Sequence, residues 1–445
     1  MWIRVQVQIE AQKLSFEIKS NGLYQLCGLQ HIIELQDEIN SIFILKDMII
    51  IITEDRDFRH GYRPTSYIKD NRQINNIDAY DWQGNHLWNI GDIVGDIKRA
   101  FDGGGLTTKA SVLAHILYEK YVMVVPLERQ AKELKAMGMR LSTATLSNWV
   151  IYAAETFMKP VYAKMKEKLL RSSVVHADET VVQVLREPNK KAKTDSRMWV
   201  YCAGKYEEHS NILFEYSPTR NGENARNFLG AYSGYVVCDG YDGYNKLTEA
   251  IRCGCWAHAR RKFVEALPTD RSLLAHSVAA KGVELCNEIF LLEREFEGKD
   301  GRGAQIKKPL TATEKHEQRQ ERLKPVLDGL FAWLNEIPVS GGTKLARAVQ
   351  YCLNEKQYLC RCLENGNIPV DNNRAENAIR PFVVGRKNWL FANSVKGAEA
   401  SAVVYSLAAT AVANGLNVEE YFTELCRMKQ ILPMKQILPW KEVEA

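Results

Sequence analysis

Two stretches decide the fold: Val174-Val175-His176-Ala177-Asp178-Glu179-Thr180 and Tyr235-Val236-Val237-Cys238-Asp239-Gly240-Tyr241. Each is a short β-branched run that reads as a strand closed by a carboxylate. Around the first, residues 172–177, 181–185, 198–203 and 211–216 have strand composition, with three strands paired as a meander. Around the second, strands alternate with helices: a helix at 222–229, strands at 234–238 and 251–255, and a helix at 257–266. Strands followed by strand–helix alternation predict an α/β fold with a mixed sheet and flanking helices.

Residues 268–369 interrupt this pattern with long helices, at 273–296, from the capping box Thr311-x-x-Glu314 to Trp333, and at 344–365 with Gly366 at its end. The charge run at 314–322 reads as a solvated helix face. A short helix at 374–380, stopped by Pro381, follows, and then an Ala-rich buried helix at 399–414 closed by Asn414-Gly415. Upstream, residues 107–120, 126–136 and 142–157 have helical period, the last capped by Ser142 or Thr143, with Gly138 in a turn. Residues 127–149 have the outline of a helix-turn-helix; a helical hairpin packed on its neighbour is the plainer alternative.

Residues 1–102 read as β-rich, with a β-branched run at 41–53 and a hairpin at 80–88 around Gly84-Asn85. Gly103-Gly104-Gly105 reads as a hinge. The expected divisions are therefore 1–105, a β-rich segment; 106–171, helical; 172–267 with 370–425, the α/β core; 268–369, a helical insertion; and 426–445, a tail in which Met-Lys-Gln-Ile-Leu-Pro is repeated at once.

Composition narrows the function classes. Of 445 residues, 46% are hydrophobic and 25% charged, values of an ordinary globular chain. The net charge of +5 is unevenly spread. Residues 1–105 carry 11 basic and 15 acidic side chains, whereas residues 106–445 carry 48 and 39. An anionic partner is expected on the later part. No run is long enough for a membrane span, and the N-terminus lacks a signal-peptide layout. The 10 cysteines include no C-x-x-C pair, which reads as a reduced, cytoplasmic chain.

Asp178, Asp239 and Glu376 stand out by context. Carboxylates at the ends of adjacent strands converge, and a helix crossing that sheet edge can add a third. Three hard oxygen donors suit Mg²⁺ or Mn²⁺, and two such ions clamp the attacking and leaving oxygens of a phosphoryl displacement. The duller readings are strand-end turn formers for Asp178 and Asp239, and an N-terminal capping box with Asn373 for Glu376. Glu179, Asp242 and Asp371 are local competitors, and Glu179 is expected on the face opposite Asp178. Arg374, Arg380, Arg386, Lys387 and Trp389 gather near Glu376, and His258, Arg260, Arg261 and Lys262 near the last core strand. Such clusters suit phosphate contacts, with Trp389 available to stack on a base; surface charge and a core Trp are the alternative. Cys253, Cys255 and His258 make only a partial zinc pattern.

Residues 176–180 (His-Ala-Asp-Glu-Thr), 239–245 (Asp-Gly-Tyr-x-Gly-Tyr-Asn), 254–263 (Gly-Cys-Trp-Ala-His-Ala-Arg-Arg-Lys-Phe), 371–381 (Asp-Asn-Asn-Arg-Ala-Glu-Asn-Ala-Ile-Arg-Pro) and 385–391 (Gly-Arg-Lys-Asn-Trp-Leu-Phe) resemble motifs of the bacterial transposases of the insertion sequence 66 family. So do Pro-Leu-Glu-Arg-Gln at 126–130 and Leu-Ser-x-x-Thr-Leu-Ser-Asn-Trp at 141–149. The motifs occur in family order over about residues 105–425. The resemblance implies an RNase H-like core with a helical insertion before the last acidic residue. It implies Asp178, Asp239 and Glu376 as a DDE triad holding Mg²⁺ or Mn²⁺, expected as two ions. It further implies cutting at transposon ends and attack of the freed 3′-hydroxyl on target DNA. The implied partners are DNA, further copies of the chain assembled on DNA and accessory proteins of the same element, in a bacterial cytoplasm and nucleoid. Residues 1–102 lack the family's helical and cysteine-rich start and read as a fused, unrelated segment. A relic that binds DNA without transposing, and a nuclease or resolvase of the same core, are the competing functions.

Overall fold

The computed structural model describes the strands lying between residues 3 and 89, residues 110–427 apart from 137–138 and 339, and residues 438–440. The hinge at Gly103-Gly104-Gly105, the turn at Gly138 and most of the repeated hexapeptide lie outside the described residues. The chain divides into two compact units, Met1–Leu113 and Ala114–Ala445.

The first unit holds β1 (Ile3–Ile9), β2 (Gln12–Ile18), β3 (Tyr24–Cys27), β4 (Ile33–Leu35), β5 (Glu38–Ile44), β6 (Ile49–Glu54), β7 (Tyr67–Lys69), β8 (Arg72–Tyr80) and β9 (His86–Asn89). They form sheets of order β1-β2-β3-β4 and β5-β6-β8-β7, with β9 on β8. The hairpin at 80–88 is present as β8 and β9. The run at 41–53 is two antiparallel strands rather than one, β5 and β6.

The boundary between the units falls within α1 (Ala110–Tyr121), and the second unit continues with α2 (Leu127–Ala136), α3 (Thr143–Ala153) and α4 (Lys159–Leu169), α3 and α4 being joined by a π-helical turn, Ala154–Met158. Ser142 caps α3, its hydroxyl accepting from Thr145 N. Then come β10 (Val174–Arg186), β11 (Asp195–Ala203), β12 (Ile212–Ser217), α5 (Glu223–Leu229), β13 (Tyr235–Val237), β14 (Ile251–Cys253) and α6 (Trp256–Glu265). The sheet runs β12-β11-β10-β13-β14. β10 to β12 are antiparallel, while β13 and β14 run parallel to β10. Three antiparallel strands continued by two parallel ones, with the first strand central, is the RNase H-like arrangement.

Between β14 and the last core helix stand α7 (Val278–Phe296), α8 (Ala312–Gln318), α9 (Lys324–Glu336), α10 (Lys344–Asn354) and α11 (Lys356–Leu359). They share one buried cluster with the sheet edge: Trp256, Phe263, Ile289, Phe296, Leu327, Phe331 and Cys352 pack with Val174 and Val237. The 314–322 run is a solvated face only in part: Glu314, Glu317, Glu321 and Arg322 are exposed. Lys315 and Arg319 are buried, Arg319 gripping Glu293 with two nitrogens at 2.7 and 2.8 Å and Lys315 meeting Glu297. Their charges are matched by carboxylates of α7 and its end, which a single-helix view does not contain.

The chain closes with α12 (Asn373–Trp389), β15 (Ala392–Ser394), α13 (Val395–Ala413) and α14 (Val418–Arg427). Pro381 does not stop α12, which runs through it. Ile379, Phe382 and Gly385 form a buried stripe, with Phe382 against Phe214 and Tyr405, while Pro381 itself is exposed. The burial of that stripe outweighs the roughly 3 kcal/mol that proline costs inside a helix. α13 covers the edge strand β12. Its Thr410 hydroxyl accepts from Ile212 N and donates to Ile212 O, and Ser406 Oγ accepts from Phe214 N. The open edge is thereby satisfied.

Candidate active site

β10 is thirteen residues long, so Asp178 lies within it rather than at its end. Its side chain therefore has a fixed direction. The parallel register pairs His176 with Val237; two residues on, Asp178 is still inside β10, whereas Asp239 lies in the turn past the end of β13. Asp239 is near enough for its charge to act on Asp178, but among the described residues the group with donor atoms within 4.8 Å of one another is Cys255, His258 and Glu376, which includes neither aspartate. Asp239 also forms a turn: its Oδ1 accepts from Tyr241 N at 3.0 Å, as the turn-former reading expects, leaving the second oxygen for other work.

α12 carries the third carboxylate. Its N-cap is Asn372, not Asn373, and Asn372 is fully buried. Asn372 Nδ2 donates to Ala177 O at 2.8 Å, and His176 Nδ1 donates to Asn372 Oδ1 at 3.0 Å. Burial pushes His176 down to about 4, so the ring is neutral and suited to this role. One helical turn beyond Asn372 stands Glu376, on the side of α12 that meets β10. The capping box with Asn373 is therefore not formed; Asp371 receives the Asn373 N–H instead.

The three carboxylates feel one another. Burial, then the charges of Glu179, Asp239 and Glu376, push Asp178 up to about 7, against a hydrogen bond from Glu179 N. Glu376 Oε1 is buried with no hydrogen-bond partner, and its Oε2 takes a bond from Arg261 at 3.4 Å. Glu179 is engaged elsewhere, accepting from Arg220 and from Tyr244 Oη at 3.0 Å. Asp242 is exposed on a 3-10 turn.

Sequence reasoning missed Arg252. It is buried, donates to Asp239 O at 3.1 Å and Asn245 Oδ1 at 2.6 Å, pairs with Glu355 at 2.6 Å and lies over the Tyr358 ring. It holds the Asp239 turn against the inserted helices. A buried arginine beside a lone strand carries no local signal, because its partners come from distant segments.

The cations divide into two groups. Arg374 is spent on Ala203 O and Ser210 Oγ, and Arg386 on Thr180 Oγ1 and Val181 O, so both tie α12 to the sheet. Trp389 packs edge-on against Phe382 with Lys120 over its ring. Arg380 and Lys387 are exposed, and Lys262 lies over Tyr351. Arg260 donates to Asn287, and His258 Nε2 stands 3.7 Å from Glu376. Of the zinc pattern, Cys253 is turned to Ile251 O. Among the described residues, Cys255, His258 and Glu376 have donor atoms within 4.8 Å of one another. Burial pushes the Cys255 thiol up to about 12, which disfavours the thiolate zinc needs. In the helix-turn-helix outline, α3 (Thr-Ala-Thr-Leu-Ser-Asn-Trp-Val-Ile-Tyr-Ala) carries no charge and buries Leu146, Trp149 and Val150.

A family model described as "Transposase IS66 family" matches residues 105–400. The chain belongs to that family. Two Sinorhizobium fredii proteins are similar to it. "Uncharacterized protein y4hP" is 28% identical over 71% of this chain and 58% of its own length. "Uncharacterized protein y4qI" is 30% identical over 74% of this chain and 61% of its own. The chain thus spans about three fifths of the length of these relatives. A solved structure, "Drosophila P element transposase strand transfer complex", is similar at 11% identity and TM-score 0.41, over 73% of this chain and 96% of that one. The fold assignment rests on the strand order and not on that likeness. Among the described residues no helix is long and apolar enough to cross a membrane.

Proposed function

We propose that this IS66-family chain is a DDE transposase: it cuts DNA at transposon ends and joins the freed 3′-hydroxyl to target DNA, with Asp178, Asp239 and Glu376 as catalytic carboxylates and metal ligands. The observation that carries the reading is that Asp178, inside β10, lies near enough to Asp239 and Glu376, as it does to Glu179, for their charges to raise its carboxyl. The donor chemistry suits a hard divalent ion: three carboxylates, with Glu376 Oε1 buried, without a hydrogen bond and 3.7 Å from His258 Nε2. Bound Mg²⁺ or Mn²⁺, two ions in this reading, would supply activation of the attacking oxygen and neutralisation of charge on the leaving oxygen.

The chain's own residues do the rest. Asn372 and His176 hold Glu376 in register with Asp178, and Arg252 fixes the backbone of Asp239. Arg260, Arg261, Lys262, Arg380 and Lys387 supply positive charge for phosphates, and His258, whose imidazole is held below its ordinary value by burial, stands 3.7 Å from Glu376. DNA is the partner, with other copies of the chain on paired ends and accessory proteins of the element.

The test is nicking and strand transfer on end-containing duplexes with added Mn²⁺. Glu376→Gln and Asp178→Asn are expected to bind DNA as the parent does and to lose activity by about 1,000-fold or more. Retained cleavage in Glu376→Gln would assign the third ligand elsewhere. DNA binding by the parent without any cleavage would favour the relic.

A further inference from the structure

A cavity of about 410 Å³ opens between α6 and α7, beside the start of α12. Its polar lining is Arg260 and Arg261 of α6, Asn287 and Arg294 of α7, and Asn373 of α12; no carboxylate lines it. Three guanidiniums around one small space repel each other unless an anion lies among them. Of the nearby carboxylates Glu376 meets Arg261, at 3.4 Å, while Glu293 is committed to Arg319, Glu295 to Arg322 and Glu297 to Lys315, which leaves Arg260 and Arg294 without a carboxylate partner among the described residues. Arg260 is held in place by Asn287, at 2.6 Å. Arg294 Nε is buried and has no hydrogen-bond partner, and a buried donor of that kind calls for an acceptor.

The packing makes this cavity deliberately close. At Gly282 in α7 a Cβ would sit 2.4 Å from Phe263 of α6, so only glycine lets the two helices approach there. That approach brings Asn287 and Arg294 within reach of Arg260. Arg261 links the cavity to the carboxylates, since it lines the one and touches Glu376 of the other.

We propose that this cavity seats a backbone phosphate of bound DNA next to the cleaved position, so that the inserted helix α7, through Arg294 and Asn287, forms part of the DNA-binding surface. The inference rests on the DNA-cleaving reading above. Planar guanidinium forks match phosphate oxygens in pairs, and with Arg261 turned to Glu376, Arg260 and Arg294 remain for the two free oxygens of a phosphodiester.

The experiment is duplex-DNA binding by the full chain across a salt series. Arg294→Gln and Arg260→Gln are each expected to make the slope of log K against log salt shallower by about one, and to weaken binding about tenfold at 0.1 M salt. Val264 lines the same cavity and is 40% exposed, so Val264→Glu places a carboxylate there without disturbing the core. It is expected to weaken DNA binding likewise with an unchanged unfolding midpoint, and it decides the matter if an arginine variant fails to fold. Parental affinity and slope in Val264→Glu and in the folded arginine variants would overturn the proposal. So would variants that lose inorganic phosphate, followed by ³¹P NMR, yet keep DNA affinity. A parent chain that binds no DNA at any salt would instead overturn the proposed function itself.

Discussion

Single residues in this chain owe their behaviour to what surrounds them in space. Asp178 and Asp239 are ordinary carboxylates in sequence, but the pairing of β10 with β13 brings them near enough for the charge of Asp239 to act on Asp178. Glu215 on β12 shows the energetic side of burial. Its Oε2 is enclosed without a partner, and burial pushes the carboxyl from 4.5 up to about 7, with Lys166 pulling the other way. The folded state therefore holds this proton more tightly than the unfolded chain. Its contribution to stability is complete below about pH 4 and is lost as pH rises through about 7. Glu215→Gln is expected to leave stability at about pH 4 unchanged and to raise it at about pH 8 by about 2–3 kcal/mol. Urea unfolding at the two pH values measures this. Asp178 shifts in the same direction, so a smaller slope of the same sign remains in the variant.

At the level of elements, the helices act as covers and clamps. α13 was legible as an Ala-rich buried helix, but its use of Thr410 and Ser406 to satisfy the edge of β12 was not. Those hydroxyls look like ordinary small residues until the strand lies beneath them. Thr410→Val keeps the shape and removes both bonds to Ile212, leaving its N–H and C=O unmet. A loss of about 1–3 kcal/mol is expected, as a lower urea midpoint with an unchanged m value. α12 teaches the converse. Pro381 is the strongest local stop signal in that segment, yet the packing of Phe382 on Phe214 and Tyr405 carries the helix through it.

Across the second unit, the helices between β14 and α12 are not an appendage. Their leucines and Phe331 share one buried cluster with Trp256, Val174 and Val237, and Arg252 with Glu355 joins them to the Asp239 turn. Replacing residues 278–363 by a short Gly/Ser linker would expose that side of the sheet. The variant is expected to lose cooperative thermal unfolding and near-ultraviolet circular dichroism, where a separable insertion would leave both intact. The buried Lys315 and Arg319 belong to the same argument: a run of charges is a solvated face only when no other segment brings carboxylates to it.

The sequence by itself determined the family and the strand and helix alternation, and singled out three carboxylates as candidates, because long motifs and hydrophobic period are local properties that survive without neighbours. It also placed the basic charge after residue 105. Only the tertiary structure decided that Asp178 sits inside a strand and that α12 passes through Pro381. It alone separated Arg374 and Arg386, bound to backbone, from Arg260, Arg261 and Arg294 around an open cavity. The physical reason is the same in each case: burial and hydrogen-bond partners come from far along the chain, as with His176 and Asn372, |i−j| = 196, and no window of sequence contains both partners.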